Sequence, residues 1–95
     1  MREYPHIPPR NTKVWTIGLD LTITKRWVEY LDPEHDGLGL RTVENPKKFN
    51  NGLREFRASE FGKTIFADYR EARSAAKQMA EEAARERAKL RKEMA

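Results

Sequence analysis

Val14-Trp15-Thr16-Ile17-Gly18-Leu19-Asp20-Leu21-Thr22-Ile23-Thr24 is the stretch whose reading decides the fold. Trp15, Ile17, Leu19, Leu21 and Ile23 alternate with Thr16, Gly18, Asp20, Thr22 and Thr24. A period of two, rich in β-branched and aromatic side chains, marks a strand with one packed face and one wet face. The pattern predicts a strand over 14–24.

The residues that follow can be read in two ways. Trp27, Val28 and Leu31 could line one side of a helix capped by Thr24, or Lys25 to Leu31 could return as a second strand. The β propensity of Trp27, Val28 and Tyr30 favours the strand. Asp32-Pro33-Glu34-His35-Asp36-Gly37 is a turn by composition. A third strand is expected over Leu38 to Val43, ended by Asn45-Pro46. A polar loop then runs from Pro46 to Gly52, with Asn51-Gly52 closing it. Leu53 to Arg57 reads as a short helix or a last strand, with Leu53 and Phe56 facing the core.

On the N-terminal side, Pro5, Pro8 and Pro9 make residues 1–12 an extended arm, for which Tyr4 and Ile7 are the candidate anchors. On the C-terminal side a long helix is expected from Ser59 or Gly62 onward, with Ser59 as its cap. No Gly or Pro follows Gly62, and the run is built from strong helix formers. Ile65, Tyr69, Ala72, Ala76, Met79 and Ala83 follow a 4-3-4-3-4 spacing, which is a heptad seam. Phe61, Ile65, Phe66 and Tyr69 have the bulk to cover a sheet, whereas an alanine stripe buries little area. Residues beyond about Ala84 should therefore project. The expected class is α+β: a small antiparallel sheet of about three strands packed by the start of a long C-terminal α-helix. Residues 13–95 form a single domain, and the helix occupies about 60–95.

Composition narrows the function. The chain has 95 residues and no cysteine, which excludes disulfides, thiolate metal sites and thiol catalysis and suits an intracellular, reducing compartment (cytoplasm, or the interior of a virus or organelle). No apolar run is long enough for a signal peptide or a membrane span. The net charge of +4 is unevenly spread. Lys25 to Glu44 is acidic on balance; Lys47, Lys48, Arg54 and Arg57 form one basic group, and Arg85, Arg87, Lys89, Arg91 and Lys92 another. Basic surface points to a phosphate-rich partner, although cations in the last turns of a helix also complement its dipole.

Motifs for catalysis fail on their own spacing. Gly62-Lys63-Thr64 matches the end of a phosphate-binding loop, yet Arg57 stands where the first glycine is needed. Asp32 to Gly37 opens like a calcium loop, yet Val43 stands at the twelfth position and Glu44 comes one residue late. His6 and His35 are the only histidines, so neither a structural zinc site nor a serine nucleophile with its base is expected. No cofactor and no metal are expected.

The functional expectation is a non-enzymatic, small, basic accessory subunit of an assembly containing nucleic acid. Arg54, Arg57, Arg85, Arg87, Lys89, Arg91 and Lys92 are its candidate phosphate contacts. The rival is a protein-only binder, an inhibitor or assembly factor, that docks or dimerises through the helix seam. Ala76, Met79 and Ala83, with the sheet aromatics Trp27 and Tyr30, are the candidate partner contacts.

Overall fold

The computed structural model describes residues 7–45, 47 and 52–94. Expectations for Tyr4, Pro5 and His6 in the arm, and for Pro46, Lys48 and Asn51 in the loop, lie outside the described residues. The chain forms β1 (Lys13–Ile17), β2 (Ile23–Asp32), a 3-10 turn (Pro33–His35) and β3 (Gly37–Arg41). It continues through β4 (Arg54–Arg57), a second 3-10 turn (Ala58–Glu60), β5 (Ile65–Phe66) and α1 (Tyr69–Met94). The five strands form one sheet in the order β4-β3-β2-β1-β5, and every neighbouring pair is antiparallel. The class is α+β, with five strands where about three were expected.

The extra strands have identifiable causes. The alternating run 14–24 is not one strand: it folds back on itself between Ile17 and Ile23, which pair with each other. Gly18 N–H donates to Thr22 O at 3.0 Å, Leu21 N–H donates to Gly18 O at 2.9 Å, and Leu21 takes φ 65°. Asp20 accepts from Thr22 N–H at 3.1 Å and from its hydroxyl at 2.8 Å. Turn chemistry at Gly18 and Asp20 outweighs the period-two pattern that runs through it. Leu19 therefore sits fully exposed at the hairpin tip.

Ile65 and Phe66 are also not helical. They add β5 beside β1, Phe66 opposite Trp15 and Ile65 opposite Thr16. Gly62, at φ 88°, turns the chain into this strand, and its N–H donates to Ile65 O at 2.7 Å. The helix consequently starts at Tyr69, capped by Asp68, whose carboxylate accepts from Arg70 N–H at 2.7 Å. Ser59 is not the cap. It lies in the second 3-10 turn, where its N–H and hydroxyl donate to the Asp36 carboxylate at 2.8 and 2.7 Å.

Each face of the sheet carries its own apolar cluster. On one face Val14, Val28, Leu38, Leu40 and Ile65 pack with Ala58, and the half-buried Ile7, Phe56 and Phe61 close over them. On the other, Ile17 and Phe66 meet Ala72 of α1, joined by Trp15, Leu21, Ile23, Ala75, Ala76 and Met79. The Trp15 ring meets Tyr69 edge-on, with centroids 6.0 Å apart. That is the whole seat of the helix. Ala83 is exposed, so packing ends at Met79, earlier than the seam suggests.

A buried polar knot ties the N-terminal segment to the sheet. Arg41 is 1 % exposed, and its Nη1 donates to Glu29 Oε2 at 2.6 Å and to Val28 O at 3.1 Å. Its Nη2 donates to Asn11 Oδ1 and to Glu44 O, the latter at 3.0 Å. Arg10 reaches the other oxygen of Glu29 at 2.8 Å. The pairing register slips between Val28 and Tyr30, so Trp27 and Tyr30 end on one face of the sheet rather than on two. Gly39 lies beneath the Tyr30 ring, where any Cβ would clash with the aromatic carbons.

Candidate phosphate-binding surfaces

The helix supplies the first surface. Its 26 residues, at 1.5 Å each, run for about 39 Å. Packing against the sheet stops at Met79, and every described residue from Ala80 to Glu93 is exposed. The radius of gyration records the projection: 15.9 Å, against about 12 Å for a compact chain of this length.

Around the helix axis the five terminal cations do not form one patch. At about 100° per residue, Arg85, Lys89 and Lys92 fall within about 60° of one another. Arg87 and Arg91 lie on the far side, next to the line of Ala76, Met79, Ala83 and Leu90. Glu82, Glu86 and Glu93 border that same line on its other flank. A phosphate backbone approaching from one direction thus meets three cations, not five. Arg87 is also turned back on its own helix, its Nε donating to Ala83 O at 3.3 Å. Among the described residues no carboxylate lies within ion-pair distance of Arg85, Lys89 or Lys92.

The second surface is β4, at the opposite edge of the sheet from β5. Four strand spacings, about 19 Å, separate the two edges, so Arg54 and Arg57 do not join the helix cluster. Nor do they join each other. Arg54 pairs with Leu40 and shares its face, whereas Arg57 pairs with Gly37 on the other. Three residues apart on a strand means opposite faces, and reading Leu53 to Arg57 firmly as a strand would have shown it.

The partner candidates are placed unevenly. Ala76 and Met79 are half-buried against their own sheet, while Ala83 is open. Trp27 is 7 % exposed, with the Lys25 ammonium 5.4 Å from its ring centroid, so it offers no free stacking face. Tyr30 is 40 % exposed, but its hydroxyl donates to Glu55 Oε2 at 2.7 Å. That hydrogen bond, and the Glu55 charge, raise the Tyr30 phenol above its ordinary pKa and make this corner repel phosphate.

The motifs dismissed on spacing have structural employment. Asp36 holds Ser59, and Asp32 contacts His35 Nδ1 at 2.8 Å. The Thr64 hydroxyl donates to Glu60 at 3.2 Å, and Gly62-Lys63-Thr64 precedes a strand rather than a helix. Among the described residues no three His, Asp or Glu side chains converge as a metal site would require. No helix there is long and apolar enough to cross a membrane. An open groove of about 450 Å³ runs beside α1, lined by Phe66, Ala75, Gln78, Met79 and Glu82 among others.

Sequence reasoning missed Arg26. It is buried on the face that carries Arg54, its Nε donates to Thr16 Oγ1 at 3.2 Å, and its guanidinium lies 5.2 Å from the Phe56 ring centroid. The signal was present: in a strand paired through Val14–Arg26, Arg26 must share the face of Val14 and Val28. No family model, no curated protein and no solved structure matches this chain.

Proposed function

We propose that this chain is a non-enzymatic accessory binding protein that presents the outer half of α1 to nucleic acid within a larger assembly. One observation carries the reading. The helix continues for four turns past its last packed residue, and there Arg85, Lys89 and Lys92 share one exposed face, flanked by Glu81 and Glu82 but with no carboxylate within ion-pair distance among the described residues. An unpacked helix keeps no tertiary reason for its length, and a row of cations at helical spacing can neutralise successive phosphates.

The test is salt dependence. Three phosphate contacts predict a log–log slope of binding against salt of about −2 to −3 on generic RNA or DNA. Exchanging Arg85, Lys89 and Lys92 for Gln preserves helix propensity and should flatten that slope. The same exchange at Arg87 and Arg91 should change it less. Absence of any retention on either polymer at about 50 mM salt, where such contacts are strongest, would end this reading.

The protein-only reading has its own support in the seam. Glu82 borders it on one side and Arg87 on the other, so a parallel second copy would set Glu82 against Arg87, although Glu86 falls at the next core position of the seam. Concentration-dependent dimerisation, lost on Ala83→Glu, would favour it over the nucleic-acid reading.

A further inference from the structure

Two arginines are buried among the described residues, and only one has an acid. Arg41 is matched by Glu29 at 2.6 Å. Arg26 exposes 9 % of its surface, its Nη1 is closed off from solvent, and that nitrogen has no hydrogen-bond partner. No carboxylate lies within ion-pair distance of it among the described residues. The neighbouring charge is another cation, Arg54. Burial first, and Arg54 second, push the Arg26 pKa below its ordinary value, although a guanidinium stays charged at neutral pH.

The register shows why no acid is close. Val28, Leu40 and Arg54 form one row across β2, β3 and β4, and Arg26 stands two residues from Val28 on the same face. The flanking row on that face is Leu38 and Phe56. Glu55, the carboxylate of β4, points to the other side with Gly39 and Tyr30. The Phe56 ring and the Thr16 hydroxyl fix the Arg26 guanidinium from two directions. A buried cation that is rigidly held and left without a counter-charge is strongly unfavourable unless a group outside the described residues, such as a bound anion, supplies one.

We propose that Arg26 and Arg54 form a seat for a phosphate group, with Arg26 as the fixed inner donor and exposed Arg54 as the outer one. Two guanidinium forks suit a tetrahedral oxyanion, and their combined charge suits a phosphate better than a single carboxylate. The apolar wall of Leu38, Leu40 and Phe56 keeps the local dielectric low and strengthens the attraction. This seat reaches from Arg26 on the central strand to Arg54 on β4, the edge remote from β5, and does not depend on the helix reading.

The experiment follows the arginine Nε–H resonances of the full chain during titration with inorganic phosphate, against sodium chloride at matched ionic strength. A second arm uses a short single-stranded oligonucleotide. The Arg26 resonance should shift saturably, and Arg54→Gln should weaken the response about tenfold. Arg54 is exposed, so that variant tests the seat without threatening the fold. Arg26→Met should abolish the phosphate-induced shift of the remaining Arg54 resonance and, once folded, melt higher than the parent in phosphate-free buffer. A shift with free phosphate alone identifies a small phosphorylated ligand; a shift with the oligonucleotide alone identifies a polymer backbone. If neither probe moves Arg26, or if Arg54→Gln leaves the phosphate response intact, the seat does not exist.

Discussion

The sheet and the outer half of α1 are made stable by different physics, although one chain carries both. In the sheet, Val14, Leu38, Leu40 and Ile65 are sealed from water, and Arg41 is held by Glu29, Asn11 and two backbone carbonyls at once. Removing any part of this leaves a cavity or an unpaired buried group. From Ala80 to Glu93 every described residue is exposed and none belongs to either apolar cluster. Its order there rests on the propensity of Ala, Glu, Arg and Lys and on continuation from the docked turns. The contrast separates what the fold needs from what it merely carries. Residues carried at no benefit to the fold are where a partner's requirements are most visible.

Truncation is the most severe way to test that contrast. Ending the chain after Phe61 removes β5 and α1, and with them Ile65 from one apolar cluster and Phe66, Ala72, Ala75, Ala76 and Met79 from the other. Cooperative unfolding should disappear, seen as loss of a thermal transition. Ending it after Ala84 removes residues that are exposed throughout 85–93 and should move the melting temperature by a few degrees at most. If both cuts were equally harmless, β5 and the docked turns of α1 would not be part of the folding unit.

The polar knot sharpens the comparison at the level of one side chain. Arg41→Leu removes four hydrogen bonds and leaves Glu29 half-buried, with Arg10 alone to match it. Breaking a buried pair on one side costs about 3–5 kcal/mol, and the surviving Arg10 contact places this case near the lower end. Arg41→Lys should recover little, because an ammonium cannot fork to Glu29 and Asn11 together. The denaturant midpoint should fall with no change in slope. By contrast, Arg85→Leu on the outer helix should leave it almost unmoved. A loss under about 1 kcal/mol for Arg41→Leu would mean that the knot orders the N-terminal segment without stabilising the sheet.

Much of this was legible in the residues. The turn at Asp32 to Gly37, the strands on either side of it and the projecting helix all follow from period, turn residues and propensity. The failures share a cause. Gly18 and Asp20 sit in phase with an alternating pattern, so periodicity concealed a hairpin that their turn chemistry forms. Ile65 is in phase with the helical seam, so the same logic concealed β5. A short segment in phase with its neighbour cannot be separated from it by period alone; a turn residue such as Gly62 has to carry the decision. The bulge at Val28 to Tyr30 was out of reach, because it depends on cross-strand pairing with β3. Of the candidate site, the exposure of the terminal cations was readable. The helical angles that divide Arg85, Lys89 and Lys92 from Arg87 and Arg91 were readable too. The isolation of Arg26 was not, since it depends on which neighbours lack a carboxylate.

The smallest expected effect is confined to the first hairpin. Asp20 accepts two hydrogen bonds from Thr22, and these hold its pKa below the ordinary value, the hydroxyl contributing more than the backbone N–H. Because the folded-state pKa is depressed, the contribution is complete above the unfolded value of about 3.9. It is lost as the pH falls through the lower folded value. The group is fully exposed, so no change in global stability is expected from it. What should respond is Leu21, held at φ 65° in a region that costs a non-glycine residue energy and that the Asp20 turn secures. Amide chemical shifts of Leu21 and Thr22 should therefore titrate together at acid pH, with a midpoint below about 3.9. Shifts in β3 and α1 should stay flat over the same range. Asp20→Asn should remove the titration and leave the melting temperature close to that of the parent. A midpoint at or above the ordinary carboxylate value would show that Thr22 does not grip Asp20 in solution. Spread of the transition into β2 would show that the hairpin tip is coupled to the sheet, contrary to the sharp boundary between held and carried residues drawn here.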